Sequence, residues 1–553
     1  MKLKYSKLNV FLIQNLAAKN SFKLLSLNRN ISNVVVGRQT GIVISNSTGR
    51  KKNQLFAARL GAGLVFFVLV TFAVSAAATN VFVLNTEARH QVMDNFGAND
   101  AWSIQKIGAD WSATNKNKIA DLLFSTNIGI GLSCWRFYLG AGINRETIRG
   151  SWRTSESFEV APGKYDWTRQ PGERWFLRAA KARGVKQFGA TVYSPPLRLT
   201  RNGLSNLGAD KVSTTNLKPG AEDEFAGYLA DTLKHFRDEA DEGERTDFNY
   251  IFPVNEPQWA WQDKQEGNRA ANVDLKKIFR AVKTRFNRDG VTTKILGPES
   301  GSIPDLTSLD KPACEKWHAD YGDYLKLIGG DPEMAACFGG IITYHSYWSD
   351  EIPGQLVPQR AALGRAFTNF PNWKIWQSEY CIMEPRRDLG MDAALRLARV
   401  IHCDLTLVNA SAWQWWLAVS GGDFKDGLIY TDYEKPGDAE TIYESKLLWA
   451  LGNFSRFIRP GMVRVELSGT QDVAGLMASA YLDAATGHSV IVFVNGANRA
   501  QNVRLEFASA TAVPKFFTPW FTTASQNLVA GKKLDTAKIF SLPPRSVVTL
   551  VSE

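Results

Sequence analysis

The chain has 553 residues, 44% of them hydrophobic and 22% charged, the composition of a globular protein able to bury a sizeable core. Its net charge of +11 sits at one end: eleven of the 65 Lys and Arg precede residue 80, where there is no Asp or Glu, leaving 54 of each sign in the remainder. That balance argues against a nucleic-acid-binding surface, and the five scattered cysteines, with no C-x-x-C, argue against a disulfide framework and a zinc site and leave Cys314 with Cys337 as the one candidate pairing.

Residues 1–78 form a basic extension running into LGAGLVFFVLVTFAVSAAA, an uncharged stretch that follows Lys51, Lys52 and Arg59 and closes in small residues. It reads as an export signal cut near Ala76 to Ala78, or, being long enough, as a membrane anchor that stays. Either way the chain is expected to be secreted or attached to the cell envelope. NVFVLN at residues 80–85 looks like a lone strand.

From there short apolar runs alternate with helix-like segments. The runs are DNFGAND near Asn95, IGIGLSCWRF to Phe137, KQFGATVYS to Ser194, NYIFPVNE to Glu256, KILGPES to Ser300, GGIITYHSY to Tyr347, WKIWQSE to Glu379 and ASAWQWW to Trp416. Between them lie NKNKIADLLFSTN, RWFLRAAKARG, EDEFAGYLADTLKHFRDEA, DLKKIFRAVKTRF, DYLKLIGG and MDAALRLARVIHCDLTLV, with apolar residues three and four apart. Eight strands joined by helices need parallel crossovers. An α/β fold, a (β/α)₈ TIM barrel over residues 79–455, satisfies that count without an exposed edge, with a doubly wound sheet as the alternative. Residues 456–553 switch to alternating strands between Gly, Asn, Asp and Pro turns, which predicts an appended C-terminal β-sandwich that the strand at residues 80–85 joins.

The working residues of such a barrel lie at the carboxyl ends of its strands. Strand four ends in Asn255-Glu256 and strand seven in Glu379; strand two passes through Arg136, strand six ends in His345 and Tyr347, and strand eight carries Trp413, Trp415 and Trp416. Two carboxylates over an aromatic mouth are what cleavage of a glycosidic bond requires, one holding a proton for the leaving oxygen and one ionised toward the anomeric carbon. Asn255 offers an amide to a sugar 2-hydroxyl, and Arg136, His345 and Tyr347 would keep Glu379 ionised. Asp100, Trp102, Trp259 and Trp415 are the further substrate-binding candidates, the tryptophans as flat faces for sugar rings, with Trp261 and Trp348 also near the mouth. Glu299 and Glu384 are rival carboxylates. Six scattered histidines with no H-x-H or H-E-x-x-H leave no metal and no cofactor expected.

The blocks DNFGANDAWS, GLSCWRFYLGAG, YSPPLRLTRNG, TTNLKP, FPVNEPQWAW, ILGPESG, YHSYW, WQSEYC and WQWWLA, from about residue 95 to residue 429, resemble glycoside hydrolase family 30, and their order is most similar to its endo-β-1,6-galactanase-like group. The resemblance implies Glu256 as acid/base, Glu379 as nucleophile, Asn255 at the 2-hydroxyl, and Arg136, His345 and Tyr347 as supporting polar groups. It also implies a monomeric retaining enzyme acting on a β-linked polysaccharide or oligosaccharide, with β-1,6-galactan the expected substrate. A sister activity (β-1,6-glucanase, xylanase or an exo-glycosidase) and a catalytically silent carbohydrate-binding protein are the alternatives.

Overall fold

The structure, a computed structural model, describes residues 78–553 apart from 151, 210–213, 351–353, 436, 438, 470 and 510–512. The basic extension and the apolar run that follows it, save its last residue, lie outside the described residues. Among the described residues no helix is long and apolar enough to cross a membrane.

Eight parallel staves form the barrel, and each of the eight runs read from the sequence supplies one. In chain order they are Asn95–Asn99, Cys134–Tyr138, Gln187–Thr191, Tyr250–Phe252, the pair Lys294–Ile295 and Gly297–Ser300, Ile341–His345, Lys374–Glu379 and Ala412–Ser420. The fifth stave closes the cylinder: Lys294–Ile295 pairs with stave four and Gly297–Ser300 with stave six, while stave eight pairs with stave one. The staves are buried on both faces, as parallel strands wrapped by helices must be. Packing sets the details inside. Phe252 fills the interior below the mouth, and a Cβ at Gly189 on stave three would come within 2.8 Å of its ring, so only glycine leaves room for it.

The crossover helices follow from their sequences. Helix Glu222–Lys234 opens with three acidic residues and closes with Lys234, opposing its dipole at both ends. Helix Asn272–Asp289 stops where Gly290 takes the left-handed φ of 66°. DYLKLIGG, whose spacing predicts a helix, yields only the five-residue π-type turn Leu325–Gly329, because two glycines cut it short.

The opening strand Thr79–Val92 and the strands from Val463 onward form one ten-stranded sheet, antiparallel except where Thr79–Val92 runs parallel to Gln501–Phe507. Phe493 and Phe540 belong to strands at the two ends of a run of six, yet their rings lie 6.1 Å apart. The sheet therefore curls into two layers around its own core of Phe82, Val465, Ile491, Phe493, Leu505 and Leu550. All five cysteines are free: Cys337 points its thiol at the Glu333 carbonyl, and the pairing with Cys314 is not made.

Candidate active site

The mouth of the barrel brings together Glu256, Glu379, His345 and Tyr347. Stave four ends at Phe252, and Pro253, which has no N–H for the ladder, begins the excursion that carries Asn255 and Glu256 over the opening. Glu256 sits at φ 42°, a left-handed conformation uncommon for a side-chain-bearing residue and costing about 1–3 kcal/mol. Its N–H donates to the Glu299 carbonyl at 2.9 Å, which holds that turn. Glu379 is the last residue of stave seven, and the phenol of Tyr347 donates to its Oε1 at 2.9 Å.

His345 bridges the two carboxylates. Its Nδ1 lies 2.8 Å from Glu256 Oε1 and 3.5 Å from Glu379 Oε1, and its Nε2 lies 3.3 Å from Glu299 Oε2. The Glu256, Glu379 and His345 atoms all fall within 4.8 Å of one another. Such a convergence could also hold a metal ion. Both imidazole nitrogens face carboxylate oxygens, at 2.8 and 3.3 Å.

The charges explain the protonation. Burial alone would drive the proton off His345, but Glu379, Glu256 and Glu299 outweigh it and push the imidazole up to about 10. Burial and the charge of Glu256 push Glu379 up to about 7, against the lowering pull of His345 and Arg136. Glu299 goes the other way. Arg136 and His345 overcome its burial and bring it down to about 2. Glu256 and Glu379 thus keep one proton between them up to neutral pH.

Arg136, expected to support Glu379 by hydrogen bonds, is fully buried and donates instead to Glu299 Oε2 at 2.7 Å, to the Ser378 carbonyl at 2.6 Å and to Thr191 Oγ1 at 3.0 Å. It reaches Glu379 through its charge. Removing one partner of the buried Arg136–Glu299 pair would strand the other, at about 3–5 kcal/mol. Asn255, expected at a sugar 2-hydroxyl, is buried with its Oδ1 unpartnered and is not among the residues lining the cavity over the glutamates. Glu384 is a surface residue paired to Arg396 at 2.5 Å and Lys425 at 2.6 Å, and drops out as a rival.

The two glutamates face a cavity of about 660 Å³ whose walls include Trp259, Trp261, Tyr347, Trp348 and Trp416. Trp415, expected as a sugar platform, does not line it: it is fully buried and donates through Nε1 to the Asp426 carbonyl at 2.7 Å. Strand alternation is the reason. Trp413 bonds Asp404 on the helix side, so Trp415 shares its outward face, while Gln414 reaches Asn95 inside and Trp416 follows it inward. That parity was readable from the sequence and singles out Trp416.

Asp100 and Trp102 also lie behind the wall. The Trp102 ring packs edge-on against Trp416 at 5.9 Å and Trp152 at 6.2 Å, backing the platform without facing the cavity. Asp100 accepts from the Tyr138 N–H at 2.9 Å, near a second buried acid, Glu173. Burial pushes Glu173 well above the usual carboxylate range. Folding therefore favours its neutral form, and its stability contribution falls as pH rises from the unfolded value of about 4.5 toward the folded one, by about 1.4 kcal/mol per unit. Glu173→Gln is expected to raise the melting temperature relative to wild type by a margin that grows from pH 5 to pH 7; a constant or shrinking margin would contradict it.

The signature of the family described as O-Glycosyl hydrolase family 30 matches residues 79–430. A glucuronoxylanase of Bacillus subtilis strain 168 is 24% identical over 443 residues, 76% of this chain and 87% of that protein. The crystal structure of a conserved exported protein from Bacteroides fragilis superposes with a TM-score of 0.76 at 32% identity, covering 85% of this chain and all of that one. A solved endo-β-1,6-glucanase superposes with a TM-score of 0.62 at 16% identity over 86% of this chain and 94% of its own, a likeness of fold.

Proposed function

We propose, from the premise that this chain belongs to O-glycosyl hydrolase family 30, that it is a retaining endo-glycosidase cleaving β-1,6-linked galactan. The observation that carries the retaining mechanism is the spacing of Glu256 and Glu379, with an oxygen of each within 4.8 Å of the other. Retaining pairs stand roughly 5–5.5 Å apart, whereas an inverting pair needs roughly 6.5–9.5 Å to seat a water between carboxylate and sugar. Glu379 attacks the anomeric carbon while Glu256 protonates the leaving oxygen; water, deprotonated by Glu256, then cleaves the glycosyl ester. His345 and Tyr347 hold the pair in place, and Trp416 and Trp348 offer apolar faces to the rings.

Endo action is supported by the shape of the cleft. Beside the cavity over the glutamates lies a second one of about 960 Å³, and the two share Trp152, Arg153, Gln262, Asp263 and Lys264 as walls. A polymer passing through such a cleft is cut internally. The β-1,6-galactan assignment rests on the order of the sequence blocks, and the solved β-1,6-glucanase of like fold supports the linkage. The glucuronoxylanase relative favours xylan as the second reading. An exported site of action fits the apolar stretch at residues 60–78 and the exported relative.

The test is a panel of β-1,6-galactan, β-1,6-glucan and xylan, with product sizes followed in time and the first-formed anomer read by proton NMR. Galactan oligosaccharides of mixed size, released as the β anomer, are expected. Cleavage of xylan or glucan with galactan untouched would overturn the substrate, and release of the α anomer would overturn the mechanism.

A further inference from the structure

Glu299 is a carboxylate at the mouth that neither step of double displacement uses. It is fully buried at the end of stave five with φ 56°, the second left-handed glutamate of the site. Three contacts radiate from it. Its carbonyl accepts the Glu256 N–H at 2.9 Å, its Oε2 accepts from Arg136 Nη2 at 2.7 Å, and the same oxygen lies 3.3 Å from His345 Nε2. Its own N–H donates to Thr343 Oγ1 at 3.0 Å, so the residue is anchored to stave six as well.

A neutral imidazole donates from only one nitrogen. With Nε2 facing Glu299 and Nδ1 facing Glu256, a neutral ring would turn a lone pair onto a carboxylate oxygen. We infer that Glu299 is a positioning residue for the hydrolytic pair: its carboxylate keeps a proton on His345 Nε2 so that Nδ1–H is left to donate to Glu256 and face Glu379, while its carbonyl fixes the backbone of Glu256.

Charge counting gives the same answer. The groups facing His345 are Glu256, Glu299, Glu379 and Tyr347, with Arg136 and Tyr193 behind them. When the hydrolytic pair holds one proton, Glu299 and one ionised member of the pair balance Arg136 and a doubly protonated His345, so the buried cluster is neutral. Substituting Glu299 with a neutral isostere leaves one excess positive charge. The cluster sheds it by losing a proton from His345 or from the pair, and either loss then occurs at lower pH than in wild type. A burial-driven shift of the free acid alone would not link these titrations.

The proposal rests on the retaining reading of Glu256 and Glu379, but its test is separable from that reading. In ¹⁵N-histidine-labelled protein, with His345 assigned by its loss in His345→Gln, both ring nitrogens are expected to stay protonated through pH 8 in wild type. In Glu299→Gln the proton should leave about 1–3 units lower. The variant-to-wild-type ratio of kcat/KM should fall as pH rises, whereas a simple packing defect lowers activity by one factor at every pH. Glu299→Asp, which keeps the charge, should restore the doubly protonated ring, and together with the wild-type titration it decides the matter if the glutamine variant does not fold. A neutral His345 in wild type at pH 7, an unchanged titration in Glu299→Gln, or a pH-independent activity ratio would each overturn the role. Failure of an activated fluorosugar to label Glu379 would instead overturn the hydrolytic reading and leave the titration to judge Glu299.

Discussion

Glu379→Gln is expected to lower kcat on the natural polymer by on the order of 10⁴-fold or more. The carboxylate is the atom group that bonds the anomeric carbon, and an amide oxygen cannot replace it. No neighbour can take over. Glu299 is tied to Arg136 and His345, and Glu256 lies on the leaving-group side with His345 Nδ1 at 2.8 Å. Wild type treated with an activated 2-fluoro sugar should gain the mass of one glycosyl group at Glu379, and the variant should gain none. Wild-type turnover by Glu379→Gln on every β-glycan tried, or adduct formation in the variant, would remove the mechanism. Stability separates inactivity from misfolding. Burial holds Glu379 up at about 7, so its stability contribution is present at low pH and lost as pH rises through that value. Glutamine has no such loss, and the variant should melt at or above the wild-type temperature at pH 8. The same value bears on activity: kcat/KM of wild type should decline above about pH 7 as the pair loses its shared proton.

The barrel was readable because each stave is a short apolar run bounded by polar residues at the mouth, and the eight runs recur with helical segments between them. Glu256, Glu379, His345 and Tyr347 could be placed for the same reason, since stave ends are fixed by where the apolar run stops. What escaped depended on geometry across the chain. Helix Leu356–Phe367 has a weak apolar stripe, because one of its buried positions is Arg360, whose charge is met by Asp404 at 2.6 Å, a partner 44 residues away. Trp415 and Trp416 are alike as apolar aromatic residues of stave eight, and only the inward direction that Trp416 shares with Gln414 separates them. The tie of Arg136 to Glu299 instead of Glu379 is set by the non-adjacent staves two, five and seven meeting inside the cylinder, which no local pattern encodes. Buried acids such as Glu173 and Glu266 look like ordinary surface residues until the fold covers them.

Glu256→Gln should show a loss that depends on the leaving group. On the polymer, whose leaving alkoxide needs a proton, kcat is expected to fall about 10²–10⁴-fold, the usual contribution of a positioned acid. An aryl glycoside of the smallest cleaved oligosaccharide, bearing a dinitrophenolate that departs unaided, should keep kcat/KM within about tenfold, since only the first step enters that ratio. The second step still lacks its base. The glycosyl-enzyme at Glu379 should therefore accumulate, giving a burst of phenolate followed by slow turnover and a mass shift on the intact protein. Azide needs no deprotonation: it attacks the anomeric carbon, the bond to Glu379 breaks, and a β-glycosyl azide leaves as turnover recovers. Equal losses on polymer and aryl glycoside, or an azide product of α configuration, would show that Glu256 is not the acid/base. The site gives a physical reason to expect the asymmetry. His345 donates to Glu256 at 2.8 Å and stands at 3.5 Å from Glu379, so the change to an amide at Glu256 leaves the nucleophile's Tyr347 bond and its cationic neighbours intact.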